Sequence, residues 1–163
     1  MGPTRAALIV MAALLCSCAS SAAPSATPSS ASACGTGAPE GDVYQPDRLQ
    51  VLDPCKHAVG VVVDVAAEDD GDYHVWFKPD TSYEYLMNPE NHFQAKPAML
   101  AEITPDCTGQ PPNAEAAAKC PKSKLPIPKL GDHIAMDGPW VLDTNHGWRE
   151  IHPVDRIEIL AHA

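Results

Sequence analysis

The chain is short of positive charge. Eleven lysines and arginines stand against twenty-one acids in 163 residues, a formal net charge of −10. A domain this acidic is a poor electrostatic partner for nucleic acid or anionic lipid, and it suits cations, basic proteins or neutral ligands. Several signatures of chemistry are also missing. There is no His-Glu-x-x-His and no helical i, i+4 histidine pair, so the spacing signal for metal is weak. Cys-x-x-Cys does not occur, which disfavours redox catalysis and zinc ribbons. No Ser-His-Asp signature, Gly-rich phosphate loop or Cys–His pair supports nucleophilic catalysis. There is no internal repeat. The ten-residue apolar run Ala6 to Leu15 is too short to span a bilayer as a helix.

That run instead reads as the core of a secretory signal, with Arg5 as its positive lead. It ends at Leu15-Cys16-Ser17-Cys18. An aliphatic residue three before Cys18 and a small one just before it match a bacterial lipoprotein signal; Cys16 between them departs from the pattern. This predicts a signal peptide over 1–17, cleavage before Cys18 and lipidation of its thiol, leaving the chain anchored at the cell membrane. The alternative is an ordinary signal cut near Ala22 or Ala23, giving a secreted protein. Residues 18–40, dominated by Ala, Ser, Thr and Pro, lack the large apolar side chains that offset ordering entropy, and read as a disordered tether. The remainder, 41–163, is one domain.

Four cysteines lie beyond the signal: Cys34, Cys55, Cys107 and Cys120. An even count in an exported chain predicts disulfides. Cys107 with Cys120 closes a polar, Pro-rich excursion, worth about 3 kcal/mol in the chain-entropy model. That leaves Cys34 with Cys55, one of three connectivities that four cysteines allow.

Strand signals dominate the domain. Val59, Val61, Val63 and Val65 alternate within Cys55 to Ala67, with Gly60 as a bulge signal. The acidic tip Glu68 to Asp72 carries an Asp-Gly turn and reads as solvated, since the twelve-residue calcium pattern is absent. Tyr73 to Lys78 returns, with His74 and Trp76 on one face. Ser82 to Asn91 reads as short helix or turn, Met99 to Ile103 as a third strand, and Ala114 to Ala118 as one helical turn. Gly41 to Asp53 reads as a lead-in across a barrel end, because Pro46 argues against a central strand. Gly131 to Val154 is the densest stretch in aromatic and titratable residues. Ile134 and Met136 form one apolar run and Trp140 to Leu142 another, with turn residues between them. Asp143 to Gly147 is a turn. In Trp148 to His152, Trp148, Glu150 and His152 share one strand face, and Arg149 and Ile151 the other. Trp148 to Ile159 then closes the sheet. The pattern predicts a mainly β fold: a five-stranded Greek-key barrel of the OB type with a short helical insert. An open sandwich is the alternative.

Tyr44 to Val51, Asp70-Gly71-Asp72-Tyr73-His74 and His146-Gly147-Trp148-Arg149-Glu150-Ile151-His152-Pro153 carry a resemblance. The chain resembles a family of uncharacterised exported bacterial proteins with an OB-like barrel, a D-G-D-x-H hairpin and a terminal H-G-W-x-E-I-H-P signature. The resemblance spans most of Tyr44 to Ile159. It implies fold and export and carries no activity. Arg149 stands where a more neutral residue is expected.

Two sets of candidate residues follow. His74, Trp76, His146, Trp148, Glu150 and His152 form a candidate binding surface. The indoles could stack a base, a sugar or a peptide aromatic, although core packing is the better reading for Trp140 and Trp148. His74, His146, His152 and Glu150, accompanied by Asp143, are of the type that ligates zinc or manganese or performs acid–base work. The structural reading gives those histidines turn carbonyls and carboxylates as partners. The expected function is a non-enzymatic binding module of the cell envelope that meets a protein or small ligand. The alternatives are a metal-dependent, nuclease-like hydrolase and a purely structural envelope protein.

Overall fold

The structure, a computed structural model, describes residues 1–2, 34–35, 43–93 and 97–163. The signal, Cys18 and most of the tether lie outside the described residues. The spine is β1 (Leu49–Ala67), whose β-branched run favours extended backbone. It starts earlier than its alternation suggests. Pro46–Arg48 is a single 3-10 turn, and Leu49 already pairs with Asp143 of β4 (His133–Asp143). The expected barrel-end lead-in is thus partly sheet. Pro54 is tolerated because the register shifts between Asp53 and Lys56, and a bulge needs no ladder N–H from it. Gly60 marks a close approach: a Cβ there would lie 2.8 Å from Phe77 Cδ2.

The chain turns at Glu68–Asp72, where the Glu68 N–H donates to the Asp72 carbonyl at 2.9 Å and Gly71 takes φ +92°. It returns antiparallel as β2 (Tyr73–Pro79). A 3-10 segment (Thr81–Leu86) and α1 (Pro89–Phe93) lead to β3 (Met99–Ile103), antiparallel to β2. The excursion that follows carries α2 (Ala114–Ala117), capped by Asn113, whose side chain accepts the Ala116 N–H at 2.9 Å.

Two expectations about the last third are corrected. Ile134–Met136 and Trp140–Leu142 are not separate runs but one continuous strand, β4. Gly138 lets it pass close to β5 (Arg149–Ile151), where a Cβ would meet Ile151 Cγ2 at 2.7 Å. Trp148 to Ile159 is not one strand. It breaks after β5 at the cis His152–Pro153 peptide and resumes as β6 (Arg156–Ala161). There are therefore six strands rather than five among the described residues.

The sheet order is β1-β2-β3-β5-β4-β6, and β1 also pairs with β4, so the strands close partly into a ring. β3 and β5 are parallel; every other pair is antiparallel. Inside sits the core, including Val62, Phe77, Met99, Ile134, Met136 and Ile151. Burying such side chains stabilises by about 1.5–3 kcal/mol each. Cys107–Cys120 and Cys34–Cys55 are both disulfide-bonded, with Cα–Cα distances of 5.0 and 5.5 Å. The second ties Cys34 to β1, and the Gly35 N–H donates to Asp155 Oδ2 at 3.1 Å. Two disulfides belong to an oxidising, exported environment. No helix among the described residues is long and apolar enough to cross a membrane.

Candidate functional site

Strand alternation sends Ile151 into the core, so Glu150 and His152 leave β5 on the opposite, outer face of the ring. Register then brings others beside them. His74 on β2 pairs with Glu102 on β3, and Leu100 on β3 pairs with Glu150 on β5. Outer-face residues are normally wet. Here Glu102 is 2 % exposed, and Glu150 and His152 are fully buried. A second, small apolar cluster of Val43, Leu49 and Val141 forms beside the lead-in. The same lead-in drops the Arg48 side chain among the acids.

Glu102 is the hub. One oxygen lies 2.9 Å from His152 Nδ1, the other 3.4 Å from His74 Nε2, and Arg48 Nη2 stands 3.7 Å away. Burial pushes its carboxyl up, but His152, His74 and Arg48 together overcome this and hold it at about 2. Burial likewise disfavours the His152 imidazolium. The Glu102 charge, with bonds to Glu102 and to Glu150 Oε1 at 3.1 Å, outweighs it and raises the ring to about 10. These two shifts are one interaction seen from both ends. Asp72, at the end of the hairpin turn, is 6 % exposed rather than solvated. Burial first, then the Asp70 charge, raises its carboxyl to about 7. His152 Nε2 is buried and has no hydrogen-bond partner among the described residues.

The network continues to the Asp143–Gly147 turn. Arg48 also pairs with Asp143, whose Oδ1 accepts the Asn145 N–H at 2.7 Å. Gly147 takes φ +85°, and its N–H closes the turn on the Asp143 carbonyl at 2.7 Å. Asp143 Oδ2 lies 2.8 Å from His146 Nδ1. Burial works against its ionisation, but His146 and Arg48 hold the Asp143 carboxyl below its usual range. His146 stacks on Trp148, with ring centroids 4.3 Å apart and planes 4° from parallel. The Trp148 N–H donates to Glu150 Oε2 at 2.9 Å, and Trp76 meets Trp148 edge-on at 5.5 Å. From the far side, buried Asn91 clamps β5: it donates to the Arg149 carbonyl at 2.9 Å and accepts the Arg149 N–H at 3.0 Å.

The structure thus brings all six residues of the predicted binding surface into one neighbourhood. It divides the predicted metal set. His74 and His152 share Glu102, whereas His146 belongs to the Asp143 turn. The ligand-type group that does converge is Asp72, Glu102 and His152, each bringing one ligand atom within 4.8 Å of the others. Trp140 packs against the core and donates to the Leu86 carbonyl at 3.1 Å, as expected. Trp148 does not join the core; it roofs the charged cluster. Of the partners expected for His74, His146 and His152, turn carbonyls and carboxylates, the contacts found are to carboxylates, as they also are at His57, His133 and His162.

Sequence reasoning missed Arg48, Asp72, Asn91 and Glu102 as site residues. One signal was available. Glu102 is a lone charge in the apolar strand Met99–Ile103, and a charge in such a strand is buried only with a partner. Comparison of the chain with family models, curated proteins and solved structures found no match.

Proposed function

We propose that this chain is an exported, lipid-anchored binding module of the cell envelope, built on an OB-type barrel. The strand order, the β1–β4 closure and the parallel β3–β5 pair support that barrel reading. The observation that carries the function is the platform of His146, Trp148 and Trp76. The two indoles are half-buried and the His146 ring is exposed; Asp143 holds His146 and Glu150 holds Trp148. Aromatic groups held in one orientation lose little entropy when a flat partner stacks on them. The net charge of −10 argues against nucleic acid as that partner. A neutral ligand with a flat apolar face, such as an envelope sugar, fits best.

Titration of the full chain with soluble envelope glycan fragments, followed by tryptophan fluorescence, tests this. Saturable quenching is expected, weakened at least tenfold in His146→Ala. No saturable change, or equal affinity in the variant, would overturn the reading. The alternative of a metal-dependent hydrolase draws on the Asp72–Glu102–His152 group. Its burial counts against it, because a catalytic ion keeps a position open to substrate.

A further inference from the structure

We propose that Asp72, Glu102 and His152 form a binding site for one structural divalent cation of the zinc or manganese class. The site is separate from the aromatic platform and independent of what that platform binds.

Two observations carry the proposal. The first is convergence: one ligand atom from each residue lies within 4.8 Å of the other two, and all three side chains are buried. The second is the orphaned nitrogen. His152 is fully buried, and its Nε2 has no partner among the described residues. A buried polar atom left unpaired costs about 1–3 kcal/mol and calls for an explanation. Histidines that bind metal through one ring nitrogen commonly donate the other N–H to a carboxylate. Glu102 Oε2 at 2.9 Å and Glu150 Oε1 at 3.1 Å both lie against Nδ1, so Nε2 is the ring nitrogen left for an ion, which Glu102 would meet with its other oxygen, Oε1.

Charge balance points the same way. Asp72, Glu102, Asp143 and Glu150 are buried carboxylates, and with His152 deprotonated as a ligand, Arg48 is the permanent cation bonded to three of them. A divalent ion would supply charge of the missing sign. One imidazole with two carboxylates suits zinc or manganese better than calcium, which prefers an all-oxygen shell. Ligand distances of about 2.0–2.2 Å to the ion require the three atoms to draw together from their present spacing. Full burial leaves no face for a substrate, so the ion's role is to hold the hairpin tip against β3 and the end of β5.

The test uses the full chain stripped with chelator, then dialysed against Zn²⁺ alone or Mn²⁺ alone. Bound metal is counted by elemental analysis, and thermal unfolding is followed in parallel. One ion per chain and a midpoint raised by roughly 5 °C are expected. Asp72→Asn should weaken uptake at least tenfold while keeping the far-ultraviolet circular dichroism of the wild type. His133→Ala, outside both the triad and the platform, should take up the ion as the wild type does. Absence of stoichiometric uptake, or undiminished uptake in folded Asp72→Asn, would overturn the proposal. So would loss of uptake in folded His133→Ala.

Discussion

Replacing Glu102 by Gln removes one charge from the hub while keeping shape and an acceptor. In the native chain that charge faces His152 at 2.9 Å, His74 at 3.4 Å and Arg48 at 3.7 Å. Glu150 Oε1 remains, 3.1 Å from His152 and 3.8 Å from Arg48, but it must then serve both alone. Breaking a buried ion pair by removing one partner costs about 3–5 kcal/mol. The retained acceptor places Glu102→Gln near the lower bound, about 3 kcal/mol, or a melting midpoint lowered by roughly 10 °C. The assay is urea unfolding at pH 7 in chelator, with the His152 ring followed by NMR. In the wild type that ring should stay protonated well above neutrality; in the variant its titration should move toward the ordinary histidine value. A loss below about 1 kcal/mol, together with a His152 ring already neutral at pH 7 in the wild type, would refute the hub argument.

Three further outcomes are expected. Stability should fall on the alkaline side. The His152 contribution is fully present below pH 6.5 and is lost as pH rises through about 10. Asp72 adds a smaller loss between its unfolded value of 3.8 and about 7, whereas the Glu102 contribution is lost only as pH falls from 4.5 through about 2. Optimum stability should therefore lie on the acid side of neutrality, and denaturant midpoints at pH 5, 7 and 9 check this. Gly60→Ala should destabilise by about 1–3 kcal/mol in urea unfolding, because the added methyl meets the Lys78 carbonyl and the Phe77 ring. Cys107→Ser with Cys120→Ser should cost about 3 kcal/mol by the loop-entropy model, read from the same unfolding curves.

Much of the fold was legible because it rests on short-range rules. The alternating valines of Val59 to Val65 specify a strand wherever they sit. Asp-Gly at 70–71 and Asx-Gly at 143–147 specify turns, and both glycines do adopt positive φ. Spacing by two along a strand put Glu150 and His152 on one face, which the structure retains. The errors also have local causes. The Asp137-Gly138-Pro139 run resembles a break when read alone, yet it continues as strand close against Ile151.

What the sequence determined by itself is therefore element type, turn position, an even cysteine count that calls for disulfides, and the richness of the last third in histidine and tryptophan. What only the tertiary structure decided is which charges meet. Arg48, Asp72, Glu102 and His152 are brought together by the parallel pairing of β3 with β5 and by the lead-in lying over the outer face. Those contacts span up to a hundred residues, and no local pattern encodes strand register at that range. The strongly shifted Glu102–His152 pair, in which mutual attraction outweighs the burial that opposes both charges, exists only once the outer face is covered.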